Sequence, residues 1–247
     1  MKKQLQKIAY TFAGAAIIVA VWWIAAAAYG KPLLLPTPAQ AVKELGRELS
    51  RALFWRSFLA SVLRSVLAFV AACLLATLCA YAGKAFAPVR HILAPVVGVL
   101  RSVPTMSVIL LLVLWVGGDG TPLWVSGLVI FPVLYSGLSG ALATIPRELE
   151  EAALLYGGRS AYKFFRVYLP LSAPAFLHVA GGAASLTLKL TVAAEVLAQT
   201  RNSIGLLMQQ TRVYFQIGRL MALTVAVVLA SLLLEWILYR IRRAVEY

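Results

Sequence analysis

Apolar residues run in blocks of about 20, long enough to cross a hydrocarbon core roughly 30 Å thick, and the blocks recur along the whole chain. They cover Ile8 to Ala28, Phe58 to Ala82, His91 to Val116, Leu123 to Leu142, Ser172 to Val196 and Leu220 to Ile241. The pattern predicts an all-α, polytopic membrane protein with six transmembrane helices in one domain, residues 1–247. Between the fourth and fifth blocks lies a polar and basic island, residues 146–170, that reads as the place where a membrane protein meets a soluble partner. Pro146 opens a helix whose Glu148, Glu150 and Glu151 crowd the first turn, where the helix dipole favours acid. Gly157-Gly158 breaks it, and a second short helix starts near Ser160. That helix exposes Tyr162, Phe164 and Phe165 beside Lys163 and Arg166 until Leu169-Pro170 turns the chain into the next span. Aromatic side chains in such a loop imply a docking surface.

Two other segments need separate treatment. The first block follows Lys2, Lys3 and Lys7, as a secretory signal would, but it is longer than a signal's apolar core, and it is read as an uncleaved span. Ala39 to Trp55 alternates charged and apolar residues with Leu45, Leu49, Ala52 and Leu53 near one face. It is either an interfacial helix or a solvated connector.

Composition agrees with a membrane reading: 62% hydrophobic residues, mean hydropathy +0.85 and only 13% charged residues, about half the usual charged share. The net charge of +14 suggests headgroup contacts at span ends. No basic cluster interleaved with aromatics sits in a soluble domain, so no nucleic-acid partner is expected. With the N-terminus inside, twelve Lys and Arg fall on cytoplasmic segments and eight on outer ones, favouring cytoplasmic termini. Cys73 and Cys79 read as apolar fillers, and His91 and His178 stand alone, so no metal is expected. There is no GxxxxGK[ST] loop, HExxH or GxSxG. The chain is not expected to be an enzyme or to hold a cofactor; if it works against a gradient, ATP is bound by a partner or energy comes from an ion pathway.

Charges inside spans are functional candidates by default. Lys189 lies roughly 25 Å along the fifth block at 1.5 Å per residue, in its outer half. There it either faces a pathway, favouring an anionic solute, or pairs with Glu195 or a carbonyl, or snorkels outward. Glu195 shapes a gate or caps the span. Arg101 and Pro104 mark a kink in the third block, either beside a pathway or in plain packing. Arg64 and Glu235, near span ends, read as structural. Ala180, Gly181, Gly182, Ala184 and Ser185 form a small-residue face for close helix packing, within the chain or against a second copy.

The island's spacing resembles the signature of the membrane-spanning subunits of type I ABC importers, E-A-A, three residues, G, nine residues, I-x-L-P. Here Glu151-Ala152-Ala153, Gly157, Leu169 and Pro170 match, and Val167 stands at the isoleucine position. The likeness extends from about Leu33 to the C-terminus and is similar to the nitrate, sulfonate and taurine branch. Segments carrying it include LLLPTPAQAV, Leu100-Arg101-Ser102-Val103-Pro104, Ala193-Ala194-Glu195-Val196-Leu197 and Ser203-Ile204-Gly205; Ser102 stands where that branch often has proline. The resemblance implies a MetI-like permease fold in a bacterial cytoplasmic membrane, with the island seating as a coupling helix in a cytoplasmic ATPase. It also implies a homodimer, an external solute-binding protein and alternating access. An ion-coupled secondary transporter or channel, using Lys189, Glu195 and Arg101, is the alternative.

Overall fold

A computed structural model describes residues 2–31, 33–146, 148–149, 151 and 164–245. Nine helices longer than one turn are described: α1 (Lys2–Tyr29), α2 (Pro38–Leu49), α3 (Ala52–Ala85), α4 (Ala87–Ser102), α5 (Thr105–Val116), α6 (Thr121–Ala143), α7 (Leu169–Ala198), α8 (Ile204–Val213) and α9 (Ile217–Val245). Four of the described helices are long and apolar enough to cross a membrane: Ala52–Ala85, Thr121–Ala143, Phe164–Ala198 and Ile217–Ala244. The α4–α5 pair makes a fifth crossing when taken together. In α1 the apolar run is Ala16–Tyr29.

The third block was expected as one kinked span, but α4 and α5 are bent by 97°. Proline explains the break. Val103, forced toward extended backbone by the ring after it, has φ −70 and ψ 127, and Pro104 becomes the N-cap of α5 rather than a residue inside a helix.

α3, α6 and α7 pack together at the centre, with α9 against α7 and α2. Small residues allow the approach: Ser57, Ser61, Ser65, Ala68, Ala72, Ala76 and Ala80 are all buried along α3 at spacings of three and four. This stripe escaped the sequence reading, although its periodicity is visible there. On α7, Ala180, Gly181, Ala184 and Ser185 are buried within the chain, whereas Gly182 is exposed. Large side chains, including Ile130, Leu134, Leu138 and Leu142 of α6, fill the middle.

α2 begins with a capping box, in which Gln40 N–H donates to Thr37 and Thr37 N–H to the Gln40 side chain. The expected apolar face is divided between two helices and largely uncovered: Leu49 of α2 is exposed, and Ala52 and Leu53, also exposed, belong to α3. α2 is instead fastened to α9 by Glu48, which is 1% exposed and accepts from Arg219 Nε at 2.8 Å and Nη2 at 3.2 Å. Arg51 Nη1 donates to the same carboxylate.

Candidate functional site

The polar island meets the bundle at its C-terminal limb. Glu151 is helical and exposed; Ala152, Ala153, Gly157 and Tyr162 lie outside the described residues. Phe164–Tyr168 form one turn of wide π-helix that runs straight into α7. Leu169 and Pro170 were expected to turn the chain but occupy the first turn of α7, which continues the π-helical turn without a break.

Phe164, expected in solvent, folds inward. Its ring meets Tyr81 of α3 edge-on with centroids 4.5 Å apart. Tyr81 Oη and Ser172 Oγ share a hydrogen bond of 2.8 Å, and Ser172 also donates to the Tyr168 carbonyl at 2.7 Å. Lys84 lies 5.5 Å from the Tyr168 ring centroid and donates to the Leu142 carbonyl at 3.1 Å. Val167 packs on the central core. Phe165 is 64% exposed, at the rim of a cavity of about 460 Å³ that Tyr81, Leu169 and Phe176 also line. The root of the island is thus fixed on α3, α6 and α7, while Phe165, Leu169 and Pro170 stay uncovered.

The intramembrane charges separate into two kinds. Lys189 is exposed within the chain and forms no hydrogen bond or ion pair among the described residues. It belongs to an uncovered stripe on α7 with Gly182, Leu186, Ala193 and Leu197. Arg101 is also exposed and reaches the Pro132 carbonyl of α6 at 3.4 Å. Two contacts set the α6–α7 register: Ser126 Oγ to Thr191 Oγ1 at 2.8 Å, and Gly137 against the Val179 side chain. Pro132 therefore lies opposite residues 184–185, and Arg101 binds α6 about one helical turn from the depth of Lys189.

Glu195 is of the other kind. It is fully buried and does not pair with Lys189. Its Oε2 accepts from Ser61 Oγ at 2.7 Å and from Gly205 N–H at 3.2 Å, and its Oε1 from Arg64 Nη1 at 2.8 Å. Arg64 also donates to the Arg201 carbonyl at 2.9 Å, and Ser61 Oγ accepts the Ile204 N–H at 2.9 Å. Gly205 is required for this approach, because a Cβ there would stand 2.3 Å from Glu195 Cβ. So Glu195 and Arg64 clamp the α7–α8 connection to α3. Among the described residues, no three His, Cys, Asp or Glu side chains converge on a possible metal position.

Apolar spanning helices with one polar island rooted on three of them define a polytopic membrane protein. The model of the family "binding-protein-dependent transport system inner membrane component" matches residues 72–247, and the chain belongs to that family. The taurine transport system permease protein TauC of Escherichia coli (strain K12) is 28% identical over 228 residues, covering 89% of this chain and 82% of the relative. A probable ABC transporter permease of Brucella melitensis biotype 1 is 31% identical over 158 residues, covering 60% of this chain and 61% of the relative. Among solved structures, an inward-facing conformation of the MetNI methionine ABC transporter aligns with TM-score 0.65 and 19% identity. It covers 77% of this chain and 93% of that chain, and it supports the fold. The chain is therefore a multi-pass inner-membrane component of an ABC importer, and ATP hydrolysis belongs to a separate subunit.

Proposed function

We propose that this permease, as a homodimer, imports a small anionic solute of the sulfonate class by alternating access, with residues 146–170 docking on a cytoplasmic ATPase and a solute-binding protein delivering at the opposite end. Both termini then lie in the cytoplasm. The observation that carries the reading is the Glu151–Pro170 signature, whose C-terminal limb is rooted by Phe164, Tyr168 and Ser172 directly on α7. Force delivered to such a loop has a direct path into the bundle. The solute class rests on charge: Lys189 is an ammonium with no partner among the described residues, and Arg101 lies at a neighbouring depth. An unpaired cation in low dielectric favours an anion by direct pairing. The taurine permease among the relatives agrees with that class.

Purification of the native complex in mild detergent tests the class, with an ATPase and a binding protein expected to co-purify. Solute flux by this chain reconstituted alone would overturn it. Gly157→Arg is expected to abolish ATPase docking or coupling while the spans stay folded, and unchanged uptake would remove the island from that role. Lys189→Met should lower sulfonate uptake by tenfold or so with normal assembly; normal uptake removes Lys189 from the pathway.

A further inference from the structure

Residues 199–203 join α7 to α8 at the end of the bundle opposite the island, and their backbone is strained. Gln199 has φ 51 and Asn202 φ 47, the left-handed region that side chains other than glycine seldom adopt. Three residues from two elements hold the segment there. Arg64 of α3, itself fixed by buried Glu195, grips the Arg201 carbonyl at 2.9 Å. Asp119, in the α5–α6 turn, accepts the Arg201 N–H at 2.8 Å, and Thr200 Oγ1 donates to the Gly118 carbonyl at 2.8 Å. The backbone of Arg201 is thus fixed on both sides.

Its side chain is not. The Arg201 side chain is 87% exposed, and its one ionic neighbour among the described residues is Asp119 Oδ2 at a long 3.9 Å. The same end of the bundle also carries exposed Lys31, Lys43, Arg47, Arg51, Arg56 and Arg212. With this end outside, the positive-inside rule gives no reason for such an excess. Anionic lipid attracts basic side chains without requiring a fixed backbone. A partner of fixed shape gains from a cation whose backbone is already ordered, because only the side-chain share of the ordering cost remains.

We propose that the clamped segment 199–203 presents Arg201 as a docking contact for an acidic face of the external solute-binding protein. This rests on the reading of the chain as a permease served by such a protein.

The test uses the assembled transporter in nanodiscs of neutral phosphatidylcholine, titrated with the binding protein that co-purifies with the native complex at low and high salt. Arg201→Glu is expected to weaken binding about tenfold or more and to flatten its salt dependence. Arg212→Glu, the same charge change on the exposed last turn of α8, should weaken it much less. Unfolding temperature and ATPase rate without binding protein should match the wild type in both. Unchanged affinity in Arg201→Glu overturns the contact. So does an equal loss in Arg212→Glu, which marks a diffuse field, or a loss seen only in discs of anionic lipid, which marks a headgroup site. No binding by the wild-type complex overturns the permease reading and the contact together.

Discussion

At the island end, the chain is fastened by rings and hydroxyls, with Phe164 against Tyr81, Tyr168 under Lys84, and Ser172 between two of them. The opposite end is fastened by charge, with Glu195 holding Arg64, Ser61 and the Gly205 N–H at once. Packing of rings is weakly directional, so a ring contact can slide or tilt by small amounts without being lost. A buried carboxylate with three donors has one good geometry and a steep penalty elsewhere. The same helical run, Phe164–Ala198, carries both fastenings. Under the proposed coupling, motion enters at the compliant end and is resisted at the rigid one, so α7 acts as a lever with a fixed outer bearing.

The largest effect should come from breaking that bearing. Glu195→Leu leaves the Arg64 guanidinium without its carboxylate and the Gly205 N–H without an acceptor, at a cost of about 3–5 kcal/mol. The expected outcome is a lower unfolding temperature and poor recovery of the assembled transporter. A variant as stable as wild type would remove the contrast between the ends. Gly205→Ala attacks the same point without touching charge: its Cβ would meet Val196 N at 2.6 Å, and backbone cannot yield cheaply. A loss of about 3 kcal/mol is expected, read by thermal unfolding in nanodiscs, and the charge network itself is then shown to need the close approach.

Why one end was legible in the sequence and the other was not follows from chain distance. The island is local, so the spacing of Glu151, Gly157, Val167, Leu169 and Pro170 can be read directly. Arg64 and Glu195 are 131 positions apart, and nothing near either residue announces the other. Pairing of Glu195 with Lys189 could have been set aside on geometry, because residues six apart on a helix do not share a face. The inward turn of Phe164 was hidden for the same reason: what attracts it is Tyr81, on another helix. Pro104 announced a break in the third block, but its size of 97° depends on where α5 finds a surface on α6 and α7.

A smaller and different effect is expected at the island end. Phe164→Ala removes a half-buried ring, for a stability loss of about 2 kcal/mol, below the range for fully buried phenylalanine. Its functional effect should exceed that loss. With the root loosened, ATPase activity in the assembled transporter should persist while solute moved per ATP falls severalfold. A proportional fall of both would mean that the ring serves folding alone and that the ends do not differ in kind.

Tyr81→Phe is the finest cut, because it keeps the ring against Phe164 and deletes only the hydroxyl that meets Ser172 at 2.8 Å. Hydrogen bonds between membrane helices average about 0.6 kcal/mol. Ser172 also retains its bond to the Tyr168 carbonyl at 2.7 Å, so no hydroxyl is stranded in the core. The expected change in unfolding temperature is therefore small, and transport per ATP should stay near wild type. If Tyr81→Phe instead uncouples transport as Phe164→Ala is expected to, the island end depends on one directional bond rather than on ring packing. The two ends of α7 would then be held by the same kind of interaction, and the lever would have two rigid bearings instead of one.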